Sequence, residues 1–448
     1  MSIKPPSVKY EAIQAQEETV DVLGLNGIPL TVLDEIKQHK VFITGSLIVL
    51  EASVMWAYFS CLSAQDYYKK AFPSVNFDFL TTPLLTWPLV IGHVLQAGFH
   101  IRLSYKYRVS IGYFLFALAA TVIIAQDFLT LDNTVAAYAV LASFAVVGIA
   151  HSVVEPAFYL IAALFPDEDS THAVQIGNVA AGVINIALST LIRVFVGGFD
   201  LDESRTSVTL SFYLFMGLLL VVCVVALVVF HNLEALPCVK YLLDRADDDH
   251  SKYGHPSLPD LWAKYWRVSQ TIVLPMVAQF MIFFCSLALF PGVGCASSLH
   301  VLDSASVPAA WFCSPGIIGA YNVGDFLGRI VCTKAVYTML TLRSCFVLSL
   351  LRWLLLPLLL LGTASSPLYA FEGVPVVGLY WALGLNVLLG FTAGMFSTIT
   401  MGLAPRLVAQ EDREAAGSLM VLSLFLGLAL GSTFGFVLGS NHWLDIGL

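Results

Sequence analysis

The sequence predicts an all-α polytopic membrane protein whose eleven spanning helices divide six and five around one polar connector. Three observations predict it. The 448 residues are 58% hydrophobic and 12% charged, with a mean hydropathy of +0.81, and a soluble domain carries about twice that charge. Apolar runs of about 20 residues recur along the chain, each long enough to cross a ~30 Å hydrocarbon core. Lysine and arginine crowd into one alternate set of connectors, which gives every span a consistent direction. Period-two alternation, the mark of a spanning β-barrel, is not evident.

The elements follow in order. Residues 1–39 form a polar tail without the charged-then-apolar pattern of a cleaved signal, so the first span is expected to act as its own insertion signal. A short amphipathic helix is expected near residues 30–40. Apolar segments at 41–63, 78–101, 109–130, 134–165, 171–197 and 207–231 make a first bundle, residues 40–231. The connector, 232–267, is polar and holds RADDDHSKYGHP. Segments at 268–293, 309–333, 344–362, 375–402 and 414–439 make a second bundle, residues 268–442, and residues 443–448 end the chain. Such a division predicts two facing bundles, with a site near mid-membrane between them.

Orientation follows from the basic residues. One side takes sixteen: Lys4, Lys9, Lys37, Lys40, Arg102, Lys106, Arg108, Lys240, Arg245, Lys252, Lys264, Arg267, Lys334, Arg343, Arg406 and Arg413. The other takes Lys69, Lys70, Arg193 and Arg205. The tail and connector are therefore expected in the cytoplasm, and an odd span count puts the C-terminus outside.

Eight scattered cysteines form no CxxC, so no metal site is expected. Cys295 and Cys313 flank an expected external loop and are a candidate disulfide that spacing alone leaves open. The net charge of −9 lies largely in connectors and gives no reason to expect nucleic acid as a partner. No cofactor is implied. Gly390–Gly394 and Gly427–Gly431 have the spacing of close helix approach.

Charge inside the spans is the informative departure. At 1.5 Å per residue, Glu51 lies about 16 Å beyond Lys40, Glu155 about 18 Å from Asp167, and Asp325 about 14 Å from Lys334. Arg352 lies about 14 Å beyond Arg343, and Arg329 about 7 Å from Lys334. Groups at that depth face a bundle interior or a wet cavity. Asp325 and Arg329 are four apart, so they share a helix face and can pair. Three acids face two arginines, which leaves one carboxylate without a fixed cation. Glu51 or Glu155 is thus a candidate proton-coupling group or an acceptor for N–H donors; a protonated acid that only ties helices together is the plainer reading. His151, one turn before Glu155, is a candidate relay partner, although such a histidine often only packs. Pro156 frees a backbone carbonyl beside it. Trp56 sits in the outer half of the first span, where aromatics usually belong to the interfacial belt.

YNVGDFLGR at 321–329 resembles the eighth-span signature of equilibrative nucleoside transporters. FPGV at 290–293, RWLLLPLL at 352–359, MGLAPRL at 401–407 and REAAGSLMVLSLFLGLALGS at 413–432 resemble that family's seventh, ninth and last spans. WAYFSCLSAQDYY at 56–68 is similar to its first-span region. The resemblance implies a major-facilitator-like fold carrying nucleosides, and in some members nucleobases, by alternating access. It also implies that Asp325 and Arg329 meet the sugar hydroxyls, that Asn322 lines the same cavity, that Trp56 packs on the ligand, and that Leu428 borders it. Arg352 is read as a structural polar residue.

Two departures bear on the base. Ala57 stands where many relatives have asparagine, and Glu155, by its spacing to LFP at 164–166, falls where many have a base-contacting glutamine. Glu51 replaces a residue that is small in many relatives. The expected protein is a nucleoside transporter for purines such as adenosine or inosine, facilitative or proton-coupled, in the plasma membrane, with the lipid bilayer and a small nucleoside or nucleobase as its partners. A purine-base carrier, or a major-facilitator-like carrier of another solute, is the alternative. No HExxH or GxSxG constellation supports an enzyme.

Overall fold

The computed structural model describes residues 28–75, 77–99, 104–129, 131–166, 169–199, 204–252, 258–296, 311–332, 339–363, 366, 368–409 and 412–440. Residues 1–27 of the expected tail and the expected terminal segment 443–448 lie outside them, as do the depth markers Asp167 and Lys334.

The first half comprises α1 (Leu30–Gln38), α2 (Lys40–Ser63), α3 (Gln65–Ala71), α4 (Phe77–Phe99), α5 (Tyr105–Ala125), α6 (Asn133–Ala163), α7 (Asp169–Gly197) and α8 (Arg205–Glu234). The connector is helical, as α9 (Pro237–Lys252) and α10 (Leu258–Thr271). The second half comprises α11 (Val273–Leu289), α12 (Gly292–Ala296), a π-helical turn Phe312–Ile318 running into α13 (Gly319–Val331), α14 (Leu342–Leu351), a 3₁₀ turn Arg352–Leu354, α15 (Leu355–Leu361), α16 (Pro375–Leu403) and α17 (Arg413–Ser440). No strand occurs among the described residues.

Nine helices among the described residues are long and apolar enough to cross a membrane. Of the eleven expected spans, the two outside that set are Phe77–Phe99 and Phe312–Val331. The reason is compositional. α4 carries Thr81, Thr82, Thr86, His93 and two prolines, while α13 carries Asn322, Asp325 and Arg329. α6 continues through Pro156 for 31 residues. Cys295 and Cys313 are bridged, tying α12 to the π-helical turn with their Cα atoms 4.9 Å apart.

One continuous apolar core serves the first half, from Ile43 and Leu47 on α2 through Phe116, Phe144 and Phe158 to Phe230. It includes Val239 and Leu242 of α9, so the connector helix is packed onto the bundle. The second half relies more on close backbone approach. A Cβ at Gly324 or Gly328 of α13 would fall 2.2 Å from a backbone oxygen of α16, and Cβ atoms at Gly390 and Gly394 would fall 2.1 and 2.2 Å from oxygens of α13. Two small-residue stripes therefore interlock, and only hydrogen fits at each crossing. Gly427 and Gly431 do the same for α17 on α11, at 2.6 Å from Phe280 O and Phe284 O.

The halves meet along two seams. On the first, Gly182 of α7 faces Asn322 of α13, Ile186 packs with Phe290 and Tyr321, and Trp311 Nε1 donates to Phe199 O at 2.8 Å. On the second, Leu89 and Val90 of α4 pack with Val421, Phe425 and Ala429 of α17. Trp87 Nε1 donates to Thr433 Oγ1 there at 2.9 Å.

Candidate functional site

Three helices of the first half gather its acids. Glu51 on α2 and Glu155 on α6 are 0% and 3% exposed. α7 inserts Asn178 between them. Its amide donates to Glu51 Oε1 at 3.1 Å and to Glu155 Oε1 at 3.2 Å, using both of its hydrogens. Gly177 allows this approach, since a Cβ there would lie 2.4 Å from Ile48 O and 3.0 Å from Glu51 Cβ. His151, one turn from Glu155, places Nε2 at 2.9 Å from Glu155 Oε2. The second oxygen of Glu51, Oε2, is buried and has no hydrogen-bond partner.

α13 presents Asn322, Asp325 and Arg329 from successive turns. Arg329 reaches Asp325 through one contact of 3.5 Å, with side chains 10% and 14% exposed. Asp325 Oδ1 and Arg329 Nε are buried without partners, so the pair leaves hydrogen-bonding capacity unspent. Asn322 Nδ2 donates to Ile318 O at 2.8 Å, which turns its carbonyl oxygen toward Gly182. Arg329 lies in Coulombic range of Glu51 and of Tyr159 on α6. The cation of the second half thus addresses Glu51 of the first.

The remaining expected residues sit differently. Arg352 uses four of its five N–H groups: Nε donates to Thr392 Oγ1 at 3.0 Å, Nη2 to Ser286 Oγ at 2.7 Å and to Leu389 O at 2.8 Å, and Nη1 to Ile282 O. Its charge meets carbonyls and hydroxyls on α11 and α16, an arrangement that clamps three helices. Trp56 lies about 140° around α2 from Glu51. It is 6% exposed, with its ring 6.4 Å from Phe215 of α8, so it belongs to the first-half core. Leu428 is half-buried on α17, packing beside both the Phe425 cluster and the α11–α16 cluster. Phe425 extends toward the acids, with its ring 6.5 Å from His151 and 5.4 Å from His93.

The fold therefore brings Glu51, Glu155 and His151 together and sets Asn322, Asp325 and Arg329 on the facing helix. It does not bring Trp56 or Arg352 into that group. Asn178 and Tyr159 escaped the sequence reading. Asn178 had one readable signal, an amide in mid-span between Gly177 and Gly182.

The family profile described as Nucleoside transporter matches residues 141–440, from within α6 to the end of α17. Equilibrative nucleotide transporter 8 of Arabidopsis thaliana is 24% identical over 415 residues, covering 91% of this chain and 98% of its own length. Equilibrative nucleotide transporter 1 of the same plant is 26% identical over 381 residues, covering 83% and 80%. Equilibrative nucleoside transporter 2 of Homo sapiens is 28% identical over 195 residues, or 42% of this chain and 39% of that protein. Among solved structures, a D-xylose–proton symporter superposes with a TM-score of 0.59 at 13% identity, covering 88% of this chain and 89% of the symporter. The nucleoside transporter NupG superposes with a TM-score of 0.53 at 15% identity, covering 90% and 94%. At such identity the structures speak to the fold alone, which is the two-bundle type of the major facilitators. The matched profile spans three of the four seam helices, α7, α13 and α17, the acid cluster apart from Glu51, and the Asp325–Arg329 pair; this chain is an integral, multi-pass membrane protein and belongs to the equilibrative nucleoside transporter family.

Proposed function

We propose that this protein carries nucleosides, purine nucleosides such as adenosine and inosine foremost, across the membrane by alternating access between its two bundles. One observation carries the reading. Asp325 and Arg329 share only a 3.5 Å contact and keep buried polar atoms unpartnered, on the helix that faces the other bundle. A ribose cis-diol supplies what they lack, because a carboxylate accepts from both hydroxyls while the guanidinium donates to a sugar oxygen. Asn322 lines the sugar side. Glu155 accepts from N–H groups of the base, with Leu428 at its edge. Trp56 enters this reading only through the resemblance, as a wall behind the base.

Eleven spans, a cytoplasmic N-terminus and connector, an external C-terminus and a plasma-membrane location complete the proposal. Transport is either facilitative or coupled to protons through Glu51, Glu155 and His151. A carrier of purine bases is the second reading. It is favoured by a carboxylate at Glu155, which accepts from base N–H donors and needs no sugar.

Uptake of radiolabelled nucleosides and nucleobases by transport-deficient cells expressing this chain tests the proposal. Saturable uptake, inhibited best by purine nucleosides, is the expected result. Competition by bases alone would favour the second reading, and no saturable uptake of either class would overturn both.

A further inference from the structure

We infer that Glu51 and Glu155, tied by Asn178, form a binding site for one proton, and that this proton and Arg329 are alternative counter-charges for the pair. The inference rests on the transport reading above and adds to it a defined proton site and a reason for coupling.

The geometry is that of two acids sharing one neutral donor. Asn178 spends both amide hydrogens, one on each carboxylate, at 3.1 and 3.2 Å. It orients the pair without cancelling any charge. Glu51 Oε2 remains buried with no partner, which is where a carboxylic O–H is accommodated without displacing a hydrogen bond. Two ionised carboxylates buried side by side are unfavourable unless a cation or a proton answers them.

The groups facing the pair from each surrounding element are few. On α6 they are His151, at 2.9 Å from Glu155, and Tyr159. On α5 it is Tyr113, whose hydroxyl is already committed to Ser53 and to Leu50 O. On α4 it is His93, in Coulombic range of Glu155 and 3.2 Å from Ser418 O. On α13 it is Arg329. Arg352 is engaged elsewhere, with Ile282, Ser286, Leu389 and Thr392.

Among the described residues Arg329 is thus the fixed cation whose charge bears on Glu51, and it belongs to the other bundle. It is also shared with Asp325. Any motion that separates α13 from α2 and α7 withdraws that charge, and a proton then replaces it. When α13 closes on α2 and α7 in the opposite conformation, the cation returns and the proton is released on that side together with the substrate. The step balances simply. A proton from water bonds a carboxylate oxygen, no other covalent bond changes, and the same proton leaves to water in the opposite conformation. His151, hydrogen-bonded to Glu155, is the exchange route.

Purified protein in liposomes loaded with a membrane-impermeant pH dye tests this. Exchange of labelled against unlabelled nucleoside is followed in parallel with internal acidification during net uptake. Expected is nucleoside-dependent acidification, about one proton per nucleoside, that is lost in Glu51→Gln and Asn178→Leu. The isosteric Asn178→Asp should restore a pH response with a displaced profile, which a purely structural role for Asn178 would not do. Nucleoside exchange without acidification in the wild type would overturn the inference and leave the transport reading intact. Acidification that persists in Glu51→Gln and in Asn178→Leu would overturn it as well, placing the proton elsewhere. Absence of exchange in the wild type would overturn the transport reading and the inference together.

Discussion

Gly182 on α7 and Asn322 on α13 touch so closely that a single added carbon at Gly182 would fall 2.1 Å from Asn322 Oδ1. The two bundles therefore meet at a point where one side chain has been removed to admit the other. The same seam carries Ile186 and the Trp311–Phe199 hydrogen bond.

A wedge at this seam should hold the bundles apart. Overpacking a close contact costs ~1–3 kcal/mol, so Gly182→Leu should lower uptake about tenfold or more by disfavouring this closed seam. Gly384→Leu is the control, because a Cβ there meets nothing within 4 Å. Uptake and surface abundance measured together would separate the effect from misfolding.

Asp325→Asn should abolish uptake while the protein still reaches the membrane. It removes the charge that answers Arg329 and the acceptor proposed for the sugar hydroxyls. Uptake normalised to surface protein is the measurement. Full activity would return the pair to a role in packing.

Glu155→Gln should change which bases compete. An amide keeps an acceptor but adds donors, so bases presenting acceptors should gain against those presenting N–H groups. The competition series across nucleosides, compared with wild type, reads this out. An unchanged order would separate Glu155 from base recognition.

Arg352→Met should destabilise the second half without altering substrate order. It leaves the partners of four hydrogen bonds unanswered, including Ile282 O and Leu389 O between α11 and α16. A buried group stripped of its partner costs about 1–3 kcal/mol. Thermal unfolding in detergent should show the loss.

Replacing Cys295 and Cys313 by serine should also lower the unfolding temperature. Their bridge closes a segment of 18 residues. Constraining a loop of that size is worth about 3 kcal/mol, mostly through the unfolded chain. Reducing agent should produce the same shift in the wild type and none in the double mutant.

By itself the sequence determined the class of protein, because the bilayer imposes it locally. A ~30 Å apolar core demands helices of about 20 residues, and that demand is written in consecutive residues. It determined as well that Asp325 and Arg329 can pair, since residues four apart on a helix must share a face. The glycine spacing at Gly390–Gly394 announced a close crossing, yet its partners Gly324 and Gly328 emerged only once α13 lay against α16. Tertiary structure alone decided which polar groups meet. Glu51, Glu155 and Asn178 lie on three helices, and depth in the membrane places them at one level without saying how each helix is rotated. Rotation is set by packing, and packing turned Trp56 into the first-half core, secured Arg352 among carbonyls, and joined two carboxylates through one amide.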